Sequence, residues 1–227
     1  MSVLRNFVVE MIYMSRLLKH LGGLGMLALL LLIVPAPTHA ATITFTFDTC
    51  GTGGGTNQTC TSPATFTSGG FSVAASAFGM FPTGAPASLY AKNTGGDELG
   101  LGLNNDPTSD NEIIPGSFIQ LNVSSIIGND PLTIIMNSTT SPDGWSVCQT
   151  NTPGSMVGCT VLKTGVDELP FTISPGDTYL DFTATGGNVL LHSLSFSTAA
   201  TPEPGSLMLL GTGILGLAGA VRRKLKV

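Results

Sequence analysis

The sequence predicts a mainly β protein. The expected fold is a β-sandwich, with the jelly roll among its candidate forms, flanked by an N-terminal signal peptide and a single C-terminal transmembrane helix. Three observations lead there. Short runs that alternate apolar and polar residues recur between clusters of Gly, Pro, Asn and Asp. Glycine numbers 29 while charged residues make up only 10%, which suits a turn-rich exported domain better than a helical cytosolic enzyme. Charge is also divided along the chain. Between Ala41 and Thr201 there are 12 acidic residues and two basic ones, Lys92 and Lys163, and the other seven basic residues lie near the two ends. An acidic centre without arginine argues against nucleic acid as a partner, because phosphate neutralisation needs clustered cations. Basic ends beside apolar runs suit membrane insertion.

Residues 1–40 have the order of a secretory signal. Arg16 and Lys19 precede an apolar run from Leu24 to Val34, and Thr38-His39-Ala40 supplies small residues for cleavage after Ala40, with Ala36 as the alternative. Prolines 35 and 37 close a run too short for a permanent span. Met14 would begin a signal of ordinary length. Export through the Sec machinery follows from this reading.

Residues 41–197 form the expected exported domain. Ile43, Phe45 and Phe47 alternate with threonines from Ala41 to Asp48, the period of a half-buried strand. Cys50 to Cys60 encloses a glycine-rich loop without the Lys and Ser/Thr that a phosphate cradle needs. Further strands are expected over Phe71–Phe78, Ser88–Lys92 and Glu98–Leu103. In the last of these, leucines alternate with glycines, so one face carries almost no side chains and another segment can approach closely. After a polar loop over Asn104–Glu112, strands are expected at Phe118–Ser124, Leu132–Asn137, Trp145–Gln149, Ser155–Leu162, Phe171–Ile173, Thr178–Ala184 and Val189–Ser197. Asp130-Pro131, Ser141 to Gly144, Thr152 to Gly154 and Ser174 to Asp177 punctuate them as turns.

Four cysteines fall in the exported part, and an even count in an oxidising compartment favours disulfides. Three pairings are open. The local one, Cys50–Cys60 with Cys148–Cys159, is preferred, and each short loop closed contributes roughly 2–3 kcal/mol if unstrained. No Cys-x-x-Cys spacing supports a metal centre built on them.

Among candidate ligand sites, Asp106, Asp110 and Glu112 stand in one loop and offer oxygens that could hold Ca²⁺, although the loop does not match the EF-hand pattern. A solvated turn is the plainer expectation, and no cofactor is required. Trp145 could stack on a sugar ring, but a lone Trp in a small sandwich belongs more often to the core. His192 shares an alternating face with Leu190, Leu194 and Phe196, where packing is expected rather than base catalysis. No Gly-x-Ser-x-Gly or other nucleophile arrangement accompanies it.

Residues 198–204 are a small-residue and proline linker ending in Pro202-Glu203-Pro204. Residues 205–221 carry no charge and as a helix would be about 25 Å long, close to a membrane span once flanking residues contribute. Residues 222–227 form a basic tail led by Arg222 and Arg223, which the positive-inside rule assigns to the cytoplasm. The Pro-Glu-Pro triplet, the apolar segment and the terminal arginines, in that order, resemble a PEP-CTERM sorting signal, a segment also described as an ice-binding-protein C-terminal domain. The resemblance covers about 26 residues. It implies recognition by exosortase, a membrane-embedded cysteine protease or transpeptidase of Gram-negative bacteria, with Pro202, Glu203, Pro204, Arg222 and Arg223 as the sorting residues. It further implies export to the cell surface or extracellular matrix and an association with exopolysaccharide and biofilm. The chain is accordingly expected to be a non-enzymatic structural or adhesive protein. A carbohydrate-binding module that contacts extracellular polysaccharide is the alternative, and a glycan-acting hydrolase is a more distant third.

Overall fold

Fourteen strands form among the described residues of the computed structural model, and all their pairings are antiparallel. The structure describes residues 40–51, 53–79, 84–104, 107–129, 131–139, 143–199, 211–217, 220 and 223–224. Ala40–Ala199 forms one compact unit. The strands are β1 (Thr42–Thr46), β2 (Gln58–Cys60), β3 (Ala64–Ser68), β4 (Phe71–Gly79), β5 (Ala85–Ala87), β6 (Leu89–Gly95), β7 (Glu98–Leu103), β8 (Phe118–Asn122), β9 (Leu132–Asn137), β10 (Gly144–Thr150), β11 (Thr160–Gly165), β12 (Phe171–Ile173), β13 (Tyr179–Gly186) and β14 (Leu190–Ser197).

They divide into two sheets. Sheet A runs β12-β9-β14-β7-β6-β2, with β1 also paired to β14; sheet B runs β11-β10-β13-β8-β4-β3, with β5 on β4. The inner faces meet in one apolar core. Phe45, Leu101, Ile134 and Phe196 enter it from sheet A, and Val73, Leu121, Trp145 and Phe182 from sheet B. Period-two patterning explains which side chains turn inward. In β13, Leu180, Phe182 and Ala184 are core residues, while Asp181 and Thr183 point to the other side.

The strands expected at Glu98–Leu103, Leu132–Asn137 and Phe171–Ile173 form with those limits. The strand expected over Ser155–Leu162 instead begins at Thr160, because residues 151–159 cross the outer face of sheet B. The face expected for His192 is also corrected. The β14–β9 register shifts between Leu191 and Ser193, so the core positions change phase from Val189 and Leu191 to Leu194 and Phe196. His192 sits at that bulge, and its buried Nδ1 has no hydrogen-bond partner.

Residues 211–217 are helical. No helix of the described residues is long and apolar enough to cross a membrane. The expected span also includes residues 205–210, 218, 219 and 221, which lie outside the described residues, as do residues 1–39 of the expected signal.

Candidate functional site

Among the described residues, a loop lies across the outer face of each sheet, and a buried polar cluster sits beneath each of the two. On sheet A the loop is residues 107–112, and glycine is the reason it can lie there. A Cβ at Gly102 would collide with the backbone of Asn111 and Glu112. The bare face of β7 therefore admits main chain where a side chain would stand. Gly100 in turn lies against β14, where a Cβ would come 2.7 Å from the Leu191 carbonyl oxygen; its φ of 149° also disfavours an L side chain.

This approach carries Glu112 to Lys92, which points outward from β6. The Lys92 Nζ donates to Glu112 Oε1 at 2.5 Å and forms a second, shorter ion pair with Glu98. The Ser138 hydroxyl lies 3.1 Å from both Glu98 Oε1 and Glu112 Oε2. Glu112 is buried, with only 5% of its side chain exposed, whereas the Glu98 side chain is 41% exposed. Burial dominates at Glu112 and, with the charge of Glu98, raises its carboxyl pKa despite Lys92. Burial also pulls Glu98 upward, but the hydrogen bond and charge of Lys92 outweigh it and the net direction is down. For Lys92, burial favours the neutral form, and the two carboxylates reverse this and raise its pKa.

The group borders an open pocket of about 380 Å³, also lined by Asp110, Asp143, Gly187 and Asn188. Asn188 Nδ2 bonds Asp110 Oδ2 and Thr108 Oγ1, each at 3.2 Å. Ser109, Asn111 and Ser138, all in or beside this pocket's framework, hold positive φ of 65°, 60° and 58°. Non-glycine residues in that region need support from their surroundings and gather at functional surfaces. Ser138 had no motif to announce it in the sequence; its role depends on a contact between the end of β9 and a loop 26 residues earlier.

Of the residues expected to bind Ca²⁺, Asp110 and Glu112 line this same pocket. Asp106 lies outside the described residues, Asp110 bonds Asn188, and Glu112 is engaged by Lys92 and Ser138. Trp145 is a core residue, the plainer of its two expected placements, and its burial rules out the sugar platform. It is 1% exposed, its ring stacks on Phe171 at 4.1 Å, and its Nε1–H donates to the Asp167 carbonyl at 2.9 Å. Cys50–Cys60 and Cys148–Cys159 are both bonded, the pairing preferred from their spacing, with Cα separations of 5.1 and 5.7 Å. Arg223 lies in a described helical position and is exposed, while Pro202, Glu203, Pro204 and Arg222 lie outside the described residues.

Comparison with protein families finds the PEP-CTERM protein-sorting motif at residues 200–224. Neither the curated proteins nor the solved structures give a match.

Proposed function

Because the chain carries a PEP-CTERM sorting motif and is thereby marked as an exosortase-targeted surface protein, we propose that it is a non-enzymatic structural or adhesive component of the extracellular polysaccharide matrix of a Gram-negative bacterium. The motif is the observation that carries this reading. Residues 1–40 direct export, residues 205–221 hold the precursor in the inner membrane, and exosortase acts at or near Pro202–Pro204. A two-sheet sandwich closed by two disulfides is a form suited to an exposed compartment. The carboxylates of Glu98 and Glu112 share one ammonium and one hydroxyl, so both are already engaged within the protein. That arrangement supports a binding or structural role over hydrolysis.

Mass spectrometry of both ends of the mature protein tests the sorting reading. A C-terminus between Pro202 and Gly205 is expected. An intact Val227 in surface-localised protein would contradict processing.

The pocket beside Lys92 favours a second reading, a carbohydrate-binding module. Its carboxylates and amide suit the paired hydroxyls of a sugar ring, and its backbone supports are already fixed. Retention on polysaccharide columns is then expected to fall about tenfold in Asp143→Ala, the loss of one or two charge-assisted hydrogen bonds. No retention of the wild-type chain on any polysaccharide would discard this reading and leave the first intact.

A further inference from the structure

The second covering loop, residues 151–159, encloses a different constellation on the outer face of sheet B. Gln120 on β8, Asp181 on β13 and Cys148 on β10 stand side by side in the strand register. The loop is fastened over them by Gln120, whose Nε2 donates to the Thr152 carbonyl at 3.2 Å and whose Oε1 accepts from the Gly154 N–H at 2.9 Å. Phe78, Phe118 and Met156 wall the site with apolar surface. Asp181 is fully buried. Its Oδ1 accepts from Gln120 Nε2 at 2.8 Å, and its Oδ2 has no partner. A carboxylate oxygen of Asp181 and the sulfurs of Cys148 and Cys159 lie within 4.8 Å of one another. An unpartnered buried carboxyl oxygen is expensive to keep, and here it stands beside a bond whose cleavage by a thiolate releases a sulfur that takes up a proton.

We propose that Cys148–Cys159 is a thiol–disulfide exchange site for an external dithiol, with Asp181 supplying the proton to the Cys148 sulfur as the bond breaks. Accessibility sets the direction of attack. Cys148 is 1% exposed, whereas Cys159 is half-buried between exposed Gly158 and Thr160. One thiolate of the dithiol attacks Cys159 Sγ. A new S–S bond forms there, the Cys148–Cys159 bond breaks, and its electron pair goes to Cys148 Sγ. That sulfur would become a thiolate in apolar surroundings, and it takes the proton of the Asp181 carboxyl. The second thiol of the dithiol loses its proton to water and attacks the external sulfur of the mixed disulfide. Cys159 leaves as a thiolate and is protonated by water, and Asp181 recovers its proton from solvent. The dithiol is thereby oxidised by two electrons and the cysteine pair reduced.

The proton is available where the chemistry needs it. Burial pushes the Asp181 carboxyl up to about 7, against the opposing hydrogen bond from Gln120. Few other groups can titrate nearby. Described β4, β8, β10 and loop 151–159 bring no ionisable side chain except the two bonded cysteines, and β13 itself adds only Tyr179.

The test reduces the full chain, with both disulfides formed, using dithiothreitol from about pH 5.5 to about pH 8.5 and maps alkylated cysteines by mass spectrometry. Rates are divided by the thiolate fraction of the reagent. The corrected rate at Cys148–Cys159 is expected to fall about tenfold or more as pH rises through about 7, as general-acid assistance is lost. The rate at Cys50–Cys60 should stay flat. Asp181→Asn should lower the rate near pH 6 by about tenfold and abolish the slope. With glutathione, the trapped adduct should sit on Cys159. Equal flat profiles at the two wild-type disulfides, a slope that survives in Asp181→Asn, or an adduct on Cys148 would each overturn the proposal. The wild-type comparison needs no variant to fold.

Discussion

At the residue scale, two buried ionisable groups impose opposite demands. Lys92 is held because both its neighbours are negative. Its side chain is 15% exposed and that of Glu112 5%, so water screens this pair little, whereas the pair with the more open Glu98 contributes little. Lys92→Ala is expected to destabilise the domain by about 3 kcal/mol, mainly by leaving Glu112 buried without its cation. The loss should be larger near pH 8 than near pH 4, since a protonated Glu112 needs no partner. Urea unfolding at the two pH values checks this, and adding Glu112→Gln should recover part of the loss. Asp181 behaves in the reverse sense. Its folded carboxyl sits near 7 against an ordinary value of 3.8. Between these values the folded state binds a proton that the unfolded chain has released. Stability is therefore full below about pH 4 and declines as pH rises through about 7, by roughly 2–4 kcal/mol in all. Asp181→Asn keeps the acceptor for Gln120 and removes the titration, so its urea midpoint should fall less between those pH values. A pH dependence of the midpoint that is the same in Asp181→Asn as in the wild type would contradict the buried, protonated carboxyl.

At the scale of elements, the sequence was most informative where period-two patterning met turn residues. The limits of β7, β9 and β12 follow from that signal alone. The leucine–glycine alternation of β7 also announced a bare face. What it could not name was the occupant, because the backbone at residues 111–112 meets Gly102 only through tertiary folding. The three-residue strands β2 and β5 had no adequate period, and β3 went unexpected although its Ala64 and Phe66 alternate with exposed threonines. Three residues of β2 hold their place through pairing with β6 and through the Cys50–Cys60 bond rather than through pattern. The bulge at His192 was equally invisible, since a one-residue phase change in a strand rich in apolar residues leaves both faces looking plausible. The bare face of β7 yields a direct prediction. Gly102→Ala is expected to cost about 2–3 kcal/mol, because the new methyl group meets main chain rather than a flexible side chain. It should also displace Glu112 from Lys92, so the extra loss caused by Lys92→Ala should shrink in the Gly102→Ala background. Additive losses in unfolding measurements would show that the loop is positioned by something other than this glycine.

At the scale of the whole molecule, the address and the cargo are written in different physical terms. The address is local: a triplet, an apolar run and a basic end remain legible without any fold, and the family match falls on those residues. The cargo depends on contacts between distant segments. Lys92 and Glu112 are 20 residues apart and Gln120 and Asp181 are 61, so neither polar cluster could be assembled from spacing. This separation implies that the sandwich does not need the C-terminal segment in order to fold. Its core and both disulfides lie within Ala40–Ala199. Deleting Leu207–Val227 should then release a folded, disulfide-bonded domain into the medium, with a thermal midpoint within about 2 °C of the processed wild-type protein, as expected for removal of a segment outside the unit that holds both disulfides. Cell fractionation and thermal melts read the two halves of the prediction separately. Truncated protein that remains on the surface at undiminished abundance would remove the sorting role from the tail. Truncated protein that is released but melts well below the processed form would show that the C-terminal segment also supports the fold.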